Sequence, residues 1–207
     1  MESGVCTVKK VTDMNRRRYG KILLSAGFIL ICLGLILLAV FQHEDRMAGK
    51  NAQLLHEELD RAIRTGQAQE EGYTINKELV ASVGDYELLG ILRVPELDLE
   101  LPILADWSYE LLSIAPCRYM GTVQDRNLIL MGHNFESHFT PLKKLAPGDE
   151  VLFTDCFNRT YTYQVELQEV LHKTELEALV SADYDLSLFT CTYGGENRAV
   201  IRCNMIK

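Results

Sequence analysis

Leu186 to Arg202 reads LSLFTCTYGGENRAVIR. Two runs of apolar, β-branched and aromatic residues, Leu186 to Thr190 and Ala199 to Ile201, flank a Gly194-Gly195 turn, the pattern of two strands joined by a short connection. That reading puts Cys191 at the end of one strand and Arg198 at the start of the next, so that a thiol and a guanidinium face each other across the loop. A cysteine thiolate is a nucleophile, and a fixed cation beside it both favours the thiolate and steadies an oxyanion. The pair lacks a proton carrier. Asn127 to Asn134, NLILMGHN, offers one: an apolar strand-like run ends at Gly132 and delivers His133 to a strand terminus in the same way. Histidine takes and gives protons near neutral pH.

Working outward, the region from Glu87 on consists of short apolar runs separated by turn residues. Leu88 to Val94, Leu99 to Leu104, Asn127 to Met131, Glu150 to Thr154, Thr160 to Leu171, Leu186 to Thr190 and Asn197 to Met205 are strand candidates, with an eighth near His172. Helical patches are brief, at Tyr109 to Ile114, Phe139 to Leu145 and Glu175 to Val180. Many short strands with few helical patterns imply a barrel or a sandwich. There is no internal repeat and no glycine-rich phosphate loop, so nucleotide enzymes of the usual kinds have no support.

The amino-terminal part is different. Ile22 to Phe41 contains no charged residue, and at about 1.5 Å per residue it makes a helix roughly 30 Å long, the thickness of a hydrocarbon core. No small-x-small cleavage site follows, so an uncleaved anchor is expected rather than a removable signal. Met1 to Lys21 holds six basic residues against Glu2 and Asp13, a net of +4, whereas the other flank begins His43-Glu44-Asp45-Arg46. The positive-inside rule leaves the amino end in the cytoplasm and everything after Phe41 outside. With a formal charge of −8 for the whole chain, the remainder is acidic, which argues against a nucleic-acid partner or an anionic lipid surface. Glu44 to Arg64 shows Leu55, Leu59, Ala62 and Ile63 at helical spacing and reads as a stalk, ended by Gly66. The polar stretch from Gly66 to Gly84 reads as a flexible joint.

Each candidate has an ordinary structural alternative. Cys191 alone could be a small buried apolar residue. Arg198 could be a structural cation, and Arg202, four residues further on the same strand face, is the runner-up for the catalytic one. His133 and His138, five apart, lack the helical zinc spacing, so no metal is expected and His138 is read as a surface or packing residue. Trp107, Cys117-Arg118-Tyr119 and Asn134 suggest a groove wall, although core packing accounts for Trp107 and Tyr119 equally well and none is taken as catalytic. Cys117, Cys156, Cys191 and Cys203 lie outside the membrane with no tight spacing, so a disulfide framework has little support.

The ordered set of motifs resembles the sortase family, membrane-anchored cysteine transpeptidases of Gram-positive bacteria. The T-L-x-T-C strand end of that family is matched by Ser187 to Cys191 with serine in the first place, its Gly-His by Gly132-His133, and its arginine on the following strand by Arg198. Further matches are L-G-x-L-x-V-P at Leu89 to Pro95, L-P-I at Leu101 to Ile103 and L-x-P-G-D at Leu145 to Asp149. The resemblance covers about Leu88 to Lys207. It implies a closed, mostly β barrel of about eight strands with a few short helices, working without a cofactor. It also implies Cys191 as nucleophile, His133 as proton donor and acceptor, and Arg198 as oxyanion stabiliser. The implied substrates are secreted proteins with a carboxy-terminal L-P-x-T-G-like sorting signal, and the implied acceptor is a peptidoglycan or pilin amine. The expected layout is a cytoplasmic basic segment (1–21), a transmembrane anchor (22–41), an extracellular stalk and linker (42–84) and a catalytic domain (85–207). Because His133 and Cys191 come from different strands, they need not form a tight ion pair at rest. The competing readings are a cysteine endopeptidase, with water in place of the amine, and a non-catalytic adaptor that binds extended peptides.

Overall fold

An uncharged stretch as long as Ile22 to Phe41 can satisfy its backbone in lipid only as a helix, whose hydrogen bonds are all internal. The computed structural model, which describes residues 3–68, 73–75, 78–181 and 183–206, forms that helix as part of α1 (Ser3–Thr65). The chain divides into two units, residues 1–44 and 45–207. In the first, the apolar side chains from Ile22 to Phe41 are exposed on every face of the helix.

In the second unit, α1 from Asp45 on is amphipathic. Ala48, Ala52, Leu55, Leu59 and Ile63 recur at spacings of three and four and are buried, and the last four belong to the same core as the barrel strands. The reading of residues 42–84 as a stalk and polar joint therefore differs from the structure, because the apolar stripe found by spacing has a partner that spacing cannot name. Within the supposed joint, β1 (Tyr73–Ile75) and β2 (Glu78–Val83) form a hairpin, and β2 pairs with β3 (Tyr86–Val94). Val80, Ala81 and Val83 are buried. The rest of that joint, residues 69–72 and 76–77, lies outside the described residues.

The remaining strands are β4 (Leu99–Leu104), β5 (Cys117–Met120), β6 (Leu128–Gly132), β7 (Glu150–Asp155), β8 (Thr160–His172), β9 (Leu186–Cys191) and β10 (Asn197–Met205). Their order is β3-β4-β5-β6-β9-β10-β8-β7, and β7 pairs back onto β3, so eight strands close a barrel to which the β1–β2 hairpin is added. The eighth strand sought near His172 is the far end of the long β8. The short helices are α2 (Tyr109–Leu112), a 3-10 turn at Thr140–Lys144 and α3 (Leu176–Val180).

Strand alternation sorts the side chains of β6, β9 and β10 onto two faces. Leu128, Leu130, Leu186, Leu188, Ile201 and Cys203 point into the barrel. Ile129, Phe189 and Val200 form a second, smaller cluster on the outer face, where Leu179 of α3 covers them. The helix covers only one end of this outer face.

Leu59 is fully buried, and its replacement by alanine is expected to cost about 2–5 kcal/mol. Urea denaturation of the full chain in detergent checks this; a change below about 0.5 kcal/mol is the result expected of a free stalk.

Candidate active site

The three residues singled out by sequence are brought to one level by strand register. β6 and β9 run parallel, with Ile129 opposite Ser187 and Met131 opposite Phe189. Two residues on, the same offset sets His133 beside Cys191. β9 and β10 are antiparallel, and Arg198 is the direct partner of Cys191. Neighbouring strands are about 5 Å apart, so Cys191 stands between His133 and Arg198. All three have the outward parity of Ile129, Phe189 and Val200, beyond the end that α3 covers.

His133, Cys191 and Arg198 line one cavity of about 210 Å³. Its floor is Met131 and Phe189, its wall Trp107, Tyr109, Leu112 and Tyr119, and Lys173 stands at the rim. The aromatic rings are in series: Tyr109 and Trp107 meet edge-on at 6.1 Å, Trp107 and Tyr119 at 5.8 Å, and Tyr119 and Phe189 edge-on at 5.3 Å. Trp107 and Tyr119 were anticipated as a wall. Arg118 is buried instead, donating to the Ala105 carbonyl at 2.8 Å, and Cys117 faces the barrel core. Sequence reasoning missed Phe189, although its position two before Cys191 on a strand was a sufficient signal. Lys173 had no such signal, because it arrives from the end of β8 and is held there by Glu196 at 2.8 Å.

Arg198 is tethered to the turn that follows Cys191, its Nη1 donating to the carbonyls of Gly195 at 2.9 Å and Asn197 at 3.1 Å. Thr192 and Gly195 close that turn through backbone bonds. Among the described residues no carboxylate pairs with Arg198, so its positive charge is not cancelled within the site.

Residues 92–206, more than half of the chain, match the sortase domain family. The chain belongs to the sortase family. Among solved structures this sortase is similar to the sortase D5 transpeptidase of Clostridium perfringens, at 16% identity and a TM-score of 0.60 over 76% of this chain and 99% of that one. It is also similar to sortase C from Clostridium perfringens SM101, at 24% identity and 0.51 over 80% and 90% of the two chains. Sortase C1 from Streptococcus agalactiae is 27% identical, with a TM-score of 0.50 over 57% and 67%. No curated protein sequence matches. Family and fold together support a transpeptidase-type function, and the long apolar amino-terminal helix suggests membrane anchoring.

Arg202, the runner-up cation, has the same facing as Arg198 and a different fate in this sortase. It is buried beneath α3, where its guanidinium donates to Glu169 at 2.7 Å, to the Leu179 carbonyl at 2.9 Å, to Ser187 Oγ at 2.8 Å and to the Ala178 carbonyl at 3.0 Å. It holds α3 to the sheet and is not among the residues lining the cavity.

The cysteines separate by burial. Cys117, Cys156 and Cys203 are buried, whereas Cys191 is half-buried. Burial, reinforced by Asp106, pushes the Cys117 thiol up to about 12. Burial, with Glu166 adding to it, does the same to Cys203.

The loop after β6 folds back on itself. Phe139 donates its N–H to the His133 carbonyl at 3.2 Å, and its ring packs so closely on the strand end that a Cβ at Gly132 would stand 2.5 Å from it. The rings of His133 and Phe135 stack at 4.6 Å, and Phe135 meets His138 at 5.6 Å. His138 is fully buried, which decides for packing over a surface position, and the backbone of Ala48 and Ile114 approaches its ring without forming full hydrogen bonds. Burial, with the neighbouring His133 adding to it, lowers its pKa from 6.5 to about 4.

Two consequences are measurable. Removing Arg202 leaves Glu169 and two α3 carbonyls without their donor, so Arg202→Ala is expected to destabilise the protein by about 3–5 kcal/mol, against less than about 1 kcal/mol for Arg198→Ala; paired denaturation curves check the contrast. His138 binds a proton in the unfolded chain below about pH 6.5 and in the folded chain only below about 4. Stability is therefore lost as pH falls through that window, by about 2 kcal/mol between pH 7 and 5. Urea titrations at both pH values are expected to show this loss reduced by the same amount in His138→Leu.

Proposed function

We propose that the chain is an extracytoplasmic cysteine transpeptidase that cleaves an L-P-x-T-G-like sorting motif in secreted proteins and joins them to an amine of peptidoglycan or of a pilin. The observation that carries this reading is the common register level of His133, Cys191 and Arg198 on three adjacent strands, opening into one cavity with an apolar floor. Such a cavity suits the apolar part of an extended peptide.

Cys191 Sγ bonds to the scissile carbonyl carbon as its proton passes to His133. Arg198, fixed to the turn beside it, stabilises the oxyanion. Collapse of the tetrahedral intermediate breaks the C–N bond, and the leaving amine takes the proton from His133. A thioester remains, which preserves the acyl energy where no ATP is available. The incoming amine attacks it, gives a proton to His133 and forms the new amide; the C–S bond breaks, and the proton returns to the sulfur.

The proposed layout retains a cytoplasmic segment at 1–21 and a spanning segment at 22–41, oriented by the excess of basic residues before Lys21. The catalytic part begins before residue 85, because the core includes Leu55, Leu59, Ile63 and Val80. A soluble fragment from Gly84 onward would lack all four, so the full chain in detergent is the proper material.

Incubation of that chain with L-P-x-T-G-type peptides, with and without triglycine, is expected to give a thioester on Cys191 by mass spectrometry that transfers to the amine. The adduct is expected to vanish in Cys191→Ala, and kcat to fall by about 10²–10³-fold in Arg198→Ala. Hydrolysis indifferent to any amine establishes the endopeptidase instead, and an unreactive Cys191 with no adduct leaves the peptide-binding adaptor.

A further inference from the structure

The loop that presents His133 has a second support, contributed by α1. Ser137, four residues after His133, donates its backbone N–H to Asp45 Oδ1 at 3.0 Å, and its hydroxyl lies 2.5 Å from the same carboxylate oxygen and 3.0 Å from the Asp45 carbonyl. These bonds join residues 92 apart in sequence. One helical turn on, the helix backbone comes so near that a Cβ at Gly49 would stand 2.9 Å from Ser137 Cβ. The backbone of Ala48, between the two, approaches the buried ring of His138. Three consecutive contacts, from Asp45, Ala48 and Gly49, thus seat one side of the loop against the helix. The other side is closed by the Phe139 bond to the His133 carbonyl, and the two are connected by the ring of Phe135, which stacks on His133 and meets His138 at a tilt.

We propose that Asp45 is a positioning residue for catalysis: its carboxylate fixes Ser137, and through the tightly folded 133–139 loop it sets the ring of His133 beside Cys191. The inference rests on His133 being the proton carrier of the reading above. Asp45 does not line the cavity and does not touch substrate. Its effect is geometric, since a proton carrier displaced by about 1 Å can lose on the order of 10²-fold in rate. The carboxylate acts here as an acceptor for an N–H, which an amide oxygen in the same place can replace. Gly49 serves the same seat by permitting the close approach, and an added methyl there pushes against Ser137.

The test uses full-length protein in detergent with histidine selectively labelled for NMR. The His133 ring signal, displaced by the stacked Phe135 ring, is followed in native protein, Asp45→Ala, Asp45→Asn, Gly49→Ala and the remote, destabilising Leu59→Ala. Peptide kcat and KM are measured on the same samples. The proposal expects Asp45→Ala and Gly49→Ala to shift the His133 signal and to lower kcat about 10-fold or more with KM little changed. Asp45→Asn is expected to restore both, and Leu59→Ala to alter neither. A His133 signal and a kcat in Asp45→Ala equal to native overturn it. So does a loss in Leu59→Ala as large as that in Asp45→Ala, which would make the effect one of general stability. If the native protein turns over no peptide, the reading of its function has failed, and the His133 signal alone still decides whether Asp45 sets the ring.

Discussion

The register between β6, β9 and β10 is the constraint on which the rest of this sortase depends. A slip of one residue in any of the three strands would turn its outward side chains into the barrel. Leu128 and Leu130 would leave the core with β6, Leu186 and Leu188 with β9, and Ile201 and Cys203 with β10, so slippage exposes all the core residues of the strand that slips. The same pairing that buries these residues sets His133, Cys191 and Arg198 at one level. The parallel pairing of β6 with β9 is what lets two strand ends, far apart in sequence, point the same way and present a histidine and a cysteine side by side.

The outer face of these strands is divided along its length. At one end α3 covers it, with Leu179 on the apolar cluster and its carbonyls satisfied by Arg202. α3 does not reach the other end, where aromatic side chains from α2, β5 and the loop after β4 stand around an open floor. Two arginines on one face of one strand therefore have opposite surroundings. Arg202 is buried and uses its donors to hold a helix. Arg198 leans on its own turn and keeps its charge toward the cavity, where the proposed chemistry develops a negative oxygen.

From Asp45 on, α1 also completes the folded unit. Its stripe of Ala52, Leu55, Leu59 and Ile63 is part of the barrel's core, and its Asp45 to Gly49 turn lies against the loop after β6. A buried, uncharged His138 stands behind that loop. The proposed placement of His133 would thus draw on contacts that also hold the fold together.

Much of this was legible in the chain. Local alternation gave most barrel strands, the short helices fell near their expected places, and the pattern from Leu186 to Arg202 placed a thiol and a guanidinium on facing strand ends. Local pattern found the helix from Glu44 to Arg64 but not its role, because an amphipathic helix shows that one face wants a partner without showing which. By itself, the sequence determined that one long stretch is apolar throughout and that a histidine, a cysteine and an arginine sit at strand ends, since these follow from composition and from a period of two. Only the tertiary structure decided that His133 stands beside Cys191, that Arg202 is spent on α3 while Arg198 is not, and that Asp45 meets Ser137. Those are contacts between residues distant in the chain, fixed by strand order and by the packing of a helix on a closed barrel, and no local pattern encodes them.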